Sequence, residues 1–312
     1  MKRLLTTTAL VALAVPAMAQ AQSDQASDPG FELPTFEGFD VPEMGEDHPP
    51  YSPYVGRDFP LNVYFGDTHL HTNISLDAYA DGNITLTPDD AYNFAKGQLV
   101  EGHDGVPVRI SRPLDFLVIT DHAEYLGYVP SIAESAPGEG LRATEAGARW
   151  GEMWDAGQNA EVFSELVLDI ASNEPRIDEP EFDQSVWVDQ VIASAERHNN
   201  PGQFTSFIGY EWGSFPGGNN LHRVVVFRDG AEEVSQVVPF SAYSGNNPEE
   251  LWAYMAEYEE NTGGQVLAIP HNANLSNGAL FALQDFAGEP FTPEYAERRM
   301  RWEPLYEATQ MK

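Results

Sequence analysis

Eight histidines are spread over 312 residues, and two of them, His69 and His71, stand one residue apart in "GDTHLHTN", directly behind an apolar run. Residues two apart in an extended chain project to the same side. Asp67, His69 and His71 therefore line up, while Thr68 and Leu70 turn towards packed helices. The same device recurs downstream. "DFLVITDHAEY" ends in Asp121 and His122, "FTSFIGYEWGS" carries Glu211 at its apolar end, and "QVLAIPHN" ends in His271. Imidazoles and carboxylates collected at the C-terminal ends of apolar runs form a donor set for a divalent ion such as zinc, manganese or iron. Such an ion generates hydroxide near neutral pH for attack on a phosphorus, sulfur or carbonyl centre.

Each residue also has a plainer reading. Glu211 is costly to bury unless it is paired or metal-bound, and Arg223 and Arg228 are the candidate pairing cations. His222 precedes "RVVVF" instead of following an apolar run, so strand polarity alone leaves it a polar residue at a loop exit or a ligand. Asp77 lies in "NISLDAYADGN", where an aspartate is ordinarily a turn former. His48, His103 and His198 stand among turn or leader residues and read as surface positions.

Other chemistries lack their residues. The chain has no cysteine, which excludes thiolate ligands, a cysteine nucleophile and disulfides. No Gly-x-Ser-x-Gly elbow, phosphate-binding glycine loop, His-Glu-x-x-His helix or dinucleotide fingerprint occurs. Forty-nine acidic residues against 16 basic ones give a formal net charge of −33, which argues against nucleic acid or an anionic membrane as partner. The acidic residues are dispersed and read as a solvated surface.

The elements that must position the candidate ligands begin late in the chain. "MKRLLTTTALVALAVPAMAQAQS" has Lys2 and Arg3, a short apolar stretch, and small-residue cleavage patterns ending at Ala19 and Ala21. This is the pattern of a signal peptide over 1–21, with export to the periplasm or the medium. It is too short for a stable membrane anchor. Residues 22–60 read as an extended acidic, Pro-rich leader. From 61 onward, apolar runs alternate with helices whose starts are legible: Thr87-Pro88 with Asp89 and Asp90, Asn247-Pro248 with Glu249 and Glu250, and Thr292-Pro293. Gly263-Gly264 stops the second of these. "SVWVDQVIASAERH" spaces Trp187, Val191 and Ala195 for packing against the sheet. The expectation is an α/β fold with a parallel sheet covered by helices, open or closed into a barrel. Its active site belongs where the strand ends converge. Residues 127–183, with Trp150 and Trp154, interrupt this alternation as a largely helical insertion, either a lid near the site or a peripheral decoration.

In order, "HLH", a following Asp, "TDH", an isolated Glu, a His and "PH" resemble the PHP (polymerase and histidinol phosphatase) superfamily of metal-dependent phosphoesterases. Within it, "YFGDTHLHTNIS", "DFLVITDHAEYLG", "FIGYEWGS", "NNLHRVVVF" and "AIPHNANLSNG" are similar to the exported family called domain of unknown function 3604. The resemblance runs from about Leu61 to the end. It implies a distorted (β/α)7 barrel with two or three divalent ions at its C-terminal face. It makes His69 and His71 ligands of one ion, Asp77 and His122 ligands of a second, and Glu211 a bridge towards a third held by His222 and His271. Asp121 then fixes a ligand or handles a proton, and Asn272 and Asn274 are placed to meet substrate.

The superfamily carries a further Asp-x-His on a late strand, whereas this chain has no histidine after His271. The expectation is an N-terminal portion of a longer protein, with about six strands, stopping inside a sixth strand at "LYEATQMK". The activity implied is that of an exported metal-dependent hydrolase, first a phosphoesterase acting on a small anionic ester. The alternatives are a sulfatase or amidohydrolase with the same metal chemistry, or an exported metal-binding protein without catalysis. No oligomeric state follows from the residues.

Overall fold

A computed structural model describes residues 62–308. The stretches expected to be a signal peptide (1–21) and an extended leader (22–60), with His48, lie outside the described residues. The architecture is mixed α/β. Its strands are β1 (Gly66–Asp67), β2 (Val100–Glu101), β3 (Pro107–Val108), β4 (Phe116–Val118), β5 (Thr205–Trp212), β6 (Arg223–Phe227) and β7 (Val266–Pro270). β2 and β3 form a separate small hairpin. The others make one five-stranded sheet in the order β1-β4-β5-β6-β7, curled into a half-barrel.

The expected all-parallel sheet needs one correction. β1, β4 and β5 are mutually parallel, but β6 runs antiparallel to both of its neighbours. The physical reason is the length of the β5–β6 connection, residues 213–222. A parallel neighbour requires a crossover of about a dozen residues or more, usually through a helix. Here the chain makes a 3-10 turn at Pro216–Gly218 and returns. β7 again points the same way as β5. The start of β6 therefore lies at the same edge of the sheet as the ends of β4, β5 and β7.

Two further strand expectations are shortened. The ladder of the first apolar run stops at Asp67. Beyond it the chain stays beside β4 through the Thr120 amide, which donates to the Leu70 carbonyl at 2.8 Å, and the Leu70 amide, which donates to Thr120 Oγ1 at 3.1 Å. The expected sixth strand at "LYEATQMK" is not a strand over residues 303–308. Pro304 has no amide proton to give, and one bond, from the Glu307 amide to the Pro270 carbonyl at 3.1 Å, ties this segment to β7.

Ten α-helices accompany the strands among the described residues. They are α1 (Leu76–Ala80), α2 (Pro88–Ala95), α3 (Tyr128–Glu134), α4 (Glu145–Asp155), α5 (Asn159–Ser172), α6 (Pro180–Val186), α7 (Ala193–His198), α8 (Ala231–Val234), α9 (Pro248–Thr262) and α10 (Pro293–Trp302). The starts read from the sequence are present. Thr87 with Asp90, and Asn247 with Glu250, close reciprocal capping boxes; the Thr292 hydroxyl accepts from the Tyr295 amide; and Gly263 ends α9 in the left-handed conformation. α6 continues through a π-turn at Trp187–Ile192 into α7. No helix among the described residues is long and apolar enough to cross a membrane.

Two apolar cores result. Alternate residues of the strands, among them Ile208, Tyr210, Phe227 and Ala268, pack outward against Trp187, Val191, Ala195, Met255 and Tyr258. The 127–183 segment is helical as expected and builds its own core around Trp150, Tyr125, Tyr128, Leu166 and Ile170. The remaining strand residues face the inside of the half-barrel. Val118, Phe207, Val226 and Ile269 line a cavity there, of about 520 Å³, and the strands approach closely at Gly209, where a Cβ would stand 2.5 Å from Val118 Cγ1 and 2.7 Å from the Val225 carbonyl.

Candidate metal centre

The register converts scattered residues into one cluster. His122 and Glu211 are bridge partners at the ends of β4 and β5. His222 precedes β6 and His271 follows β7, with the His271 amide donating to the His222 carbonyl at 3.3 Å. Antiparallel β6 thus brings to the cluster a histidine that strand polarity alone left undecided. His69 and His71 project to the same side from the extended segment after β1, as their spacing predicts. The five imidazoles close a ring whose neighbouring centroids lie 4.2 to 5.9 Å apart.

Glu211 occupies the centre of this ring and is 2% exposed. Its Oε2 stands 3.0 Å from His69 Nε2 and 2.7 Å from His71 Nε2. Its Oε1 stands 2.6 Å from His222 Nδ1, 2.8 Å from His271 Nε2 and 3.8 Å from His122 Nε2. The alternative pairing is not made: Arg223 pairs with Glu303 and Arg228 bonds to Gln265. Burial alone would raise the Glu211 carboxyl, but His122, His271 and His71 overcome it and hold the pKa well below the usual range.

The donor set suits a cation. An imidazole nitrogen facing a carboxylate must carry a proton, and His71 faces one at each nitrogen: Glu211 at Nε2, and Asp77 at Nδ1 at 2.9 Å. His69 does the same, with Glu307 at 2.7 Å from Nδ1. Burial lowers both rings' pKa values, yet the facing carboxylates win, leaving His69 raised and His71 well above its ordinary value. His122, opposed by burial but facing Glu211 and Asp77, is pushed up to about 9. His222 falls to about 4 through burial, and burial likewise lowers His271. Protons on three rings thus balance the carboxylates where divalent ions would do so through lone pairs. Three buried atoms of the cluster, His122 Nδ1, His222 Nε2 and His271 Nδ1, have no hydrogen-bond partner, an unusual cost in a purely structural polar cluster.

Four ligand triads lie within the cluster: His69, His71 and Glu211; His69, His271 and Glu307; His71, Asp77 and His122; and His122, Glu211 and His222. These buried groups could hold a metal ion. In these groupings Glu211 stands with His69 and His71 as well as with His122 and His222, the place expected of a bridge, and His271 stands with His69 and Glu307 instead of with His222. Glu307 was legible in principle as the carboxylate directly after the apolar pair Leu305-Tyr306, by the same rule that singled out His271.

Surrounding residues fix the ligands. Ser75, the N-cap of α1, places its Oγ 2.9 Å from His71 Nδ1 and 2.6 Å from Asp77 Oδ1, and accepts from the His122 amide at 3.2 Å. Asp77 sits in the first turn of α1. Burial raises its carboxyl, but His71 and His122 hold it well below its ordinary value. Asp121 accepts from the amide and from the hydroxyl of Thr72, the latter at 2.8 Å. Burial pushes its carboxyl up to about 6. It is 2% exposed and does not line the pocket, so its contacts anchor the "HLHT" segment. Glu124, unnoticed in the sequence, is fully buried. It accepts from the Gly213 amide at 3.0 Å and the Ala242 amide at 2.6 Å, and stands 3.4 Å from His122 Nδ1. That spacing orients the ring by charge more than by a directed hydrogen bond.

The cluster forms the floor of a pocket of about 780 Å³. Asn272 is buried and lines it, whereas Asn274 is exposed and does not. Asp67 lies at its edge with Oδ1 accepting from the His69 amide at 2.9 Å. His103 is exposed, and His198 is held by Asp89 and Lys96 against Tyr92, away from the cluster. Phe163, Val167 and Ile170 of α5 also line the pocket, so part of the 127–183 segment stands beside the cluster. No curated protein matches the chain. The chain belongs to the family described as "Protein of unknown function (DUF3604)", whose model matches residues 58–312.

Proposed function

We propose that this member of the family is an exported, metal-dependent hydrolase, first a phosphoesterase, built on a barrel of the PHP kind. The observation carrying the reading is a carboxylate buried to 2% exposure with four imidazole nitrogens within 3.0 Å of its oxygens, at the converging end of a half-barrel. A protein has little reason to build so many titratable donors around one buried acid unless a cation takes the place of the protons. The overlapping triads suit two or three divalent ions, of zinc, manganese or iron, with Glu211 shared between them.

Divalent ions held there supply Lewis acidity and acidify water for attack on an ester centre. The chain's own residues do the remainder. Ser75, Glu124 and Glu307 hold the rings of His71, His122 and His69, and the His271 amide, donating to the His222 carbonyl, ties together the two segments that carry those histidines. Asp121 and Thr72 keep the "HLH" segment from shifting. Asn272 offers a neutral polar contact at the pocket wall. In the reaction, water oxygen bonds to the ester centre, the bond to the leaving oxygen breaks, and that oxygen takes up a proton. The exposed carboxylate of Asp67 and the half-exposed Asp77 are the acids and bases nearest solvent for that transfer.

Metal analysis and turnover test this reading together. The wild-type protein should retain at least one transition metal and cleave an aryl phosphate, and His71→Ala should remove both properties. Less than one bound ion per chain would overturn the site. Bound metal without cleavage of any aryl phosphate, sulfate or amide would make the chain a metal-binding protein instead of a hydrolase. Preferential cleavage of a sulfate or an amide would identify the alternative reaction centre.

A further inference from the structure

The pocket above the cluster is built from two kinds of surface. Its floor is the ring of histidines with Asp77, Glu211 and Glu307, and one wall is apolar: Leu76 from α1, Phe215 from the β5–β6 connection, and Phe163, Val167 and Ile170 from α5. The three α5 residues recur at i, i+4 and i+7, one stripe of a helix. With Val162 and Leu166 they form one broad apolar face of α5. Val162, Leu166 and Ile170 are buried in the insertion core, while Phe163 and Val167, at the edge of that face turned to the pocket, remain half-buried.

Charge narrows the ligand further. None of the described residues lining the pocket is lysine or arginine, while four are carboxylates: Asp67, Asp77, Glu211 and Glu307. One substrate oxygen bearing negative charge can be matched by ions on the floor. A second, directed away from them, would meet carboxylates, hydrocarbon and the neutral side chains of Thr68, Asn220 and Asn272, with no cationic side chain to match it. Sites that recognise terminal phosphate groups use Arg or Lys forks or helix N-termini for that purpose, and this wall has neither side chain.

We propose that the site selects esters carrying at most one negative charge and an apolar substituent, with α5 of the insertion as the surface that binds the substituent. In phosphate chemistry this means diesters with an aryl or alkyl arm, in preference to dianionic monoesters. The inference rests on the hydrolase reading for turnover, but not for binding. Phe163 and Val167 are specificity residues: they touch the substituent and take no part in bond breaking.

The test uses the metal-loaded protein and three substrates with one leaving group: 4-nitrophenyl phosphate, methyl 4-nitrophenyl phosphate and phenyl 4-nitrophenyl phosphate. The phenyl diester should have the highest kcat/KM and the dianionic monoester the lowest, with phenyl over methyl by roughly tenfold or more, the scale of an apolar subsite. Phe163→Ala should raise KM for the phenyl diester several-fold and affect the methyl diester far less. Because Phe163 also touches the insertion core, Val167→Lys is the second variant, and should shift preference towards the monoester. In parallel, calorimetry should show diphenyl phosphate binding more tightly than inorganic phosphate, with Phe163→Ala weakening only the former. Preference for the monoester, tighter binding of inorganic phosphate, or equal losses for both diesters in Phe163→Ala overturns the inference. Tight binding of diphenyl phosphate without turnover of any ester would overturn the hydrolase reading and leave this one standing.

Discussion

Two buried carboxylates, Glu211 and Glu303, have side chains that are each 2% exposed, yet they are answered in opposite ways. Glu303 receives Arg223 Nε at 3.0 Å, Trp252 Nε1 at 2.9 Å and Arg299 Nε at 3.2 Å. These donors carry their protons at every physiological pH. Glu211 is met by imidazoles alone, whose protons are exchangeable and whose nitrogens are also metal ligands. Arg223 and His222 are adjacent in sequence, so the two environments differ by one residue at the start of β6. The first arrangement satisfies a charge permanently. The second satisfies it only conditionally, as expected where a cation has to enter.

The largest expected effects come from exchanging the two roles. Glu211→Gln should weaken metal binding by more than about 100-fold, beyond the loss typical of outer residues, in a chelator competition. Its metal-free stability should also fall, because Glu211 helps to raise His71 and His122, but by less than in Glu303→Ala, since imidazoles left without a partner can deprotonate. Glu303→Ala should do the reverse. It strands the buried Arg223 and should cost about 3–5 kcal/mol, a fall in Tm of roughly 10 °C, while metal content persists. A similar response from both variants would erase the distinction.

The second effect is the pH response. His122 has a metal-free pKa of about 9, above its ordinary value of 6.5, and His69 and His71 are also raised. Binding at neutral pH must therefore expel protons, and affinity should climb about tenfold per pH unit for each proton displaced. Calorimetry in buffers of different ionisation enthalpy measures the release. The metal-free protein should behave inversely. A raised folded pKa contributes stability that is full below 6.5 and is lost as pH rises through about 9, so the Tm difference between metal-loaded and metal-free protein should widen over that window.

Smaller effects sharpen the assignment of roles. Glu124→Gln keeps the shape beside His122 but removes the charge facing its Nδ1, and should lower metal affinity by roughly tenfold, as followed by chelator competition. His103→Ala, at an exposed position, should leave metal content intact and stability within about 0.5 kcal/mol. Loss of metal in that variant would place a ligand outside the described cluster.

Much of the centre was legible because metal chemistry restricts residue type and because side chains alternate along an extended chain. His69, His71, His122, Glu211 and His271 follow from polar residues at the ends of apolar runs, and Thr87 and Asn247 follow from capping chemistry. Glu124 escaped notice because a carboxylate inside "DHAEYLG" has no periodic signature. Its role is to accept amides from Gly213 and Ala242, distant in sequence. Glu307 escaped because its run forms one backbone bond with β7 and no ladder.

By itself, the sequence determined the donor types, the starts of α2, α9 and α10 and the end of the sheet where donors gather, since these depend on local geometry and on the cost of burying charge. Tertiary structure alone decided that β6 runs backwards, that His222 therefore closes the ring around Glu211, and that α5 supplies an apolar wall above it. Strand direction depends on which neighbour a returning chain can reach, and the wall depends on how an insertion folds back over the sheet. Neither is encoded in the period of any single segment.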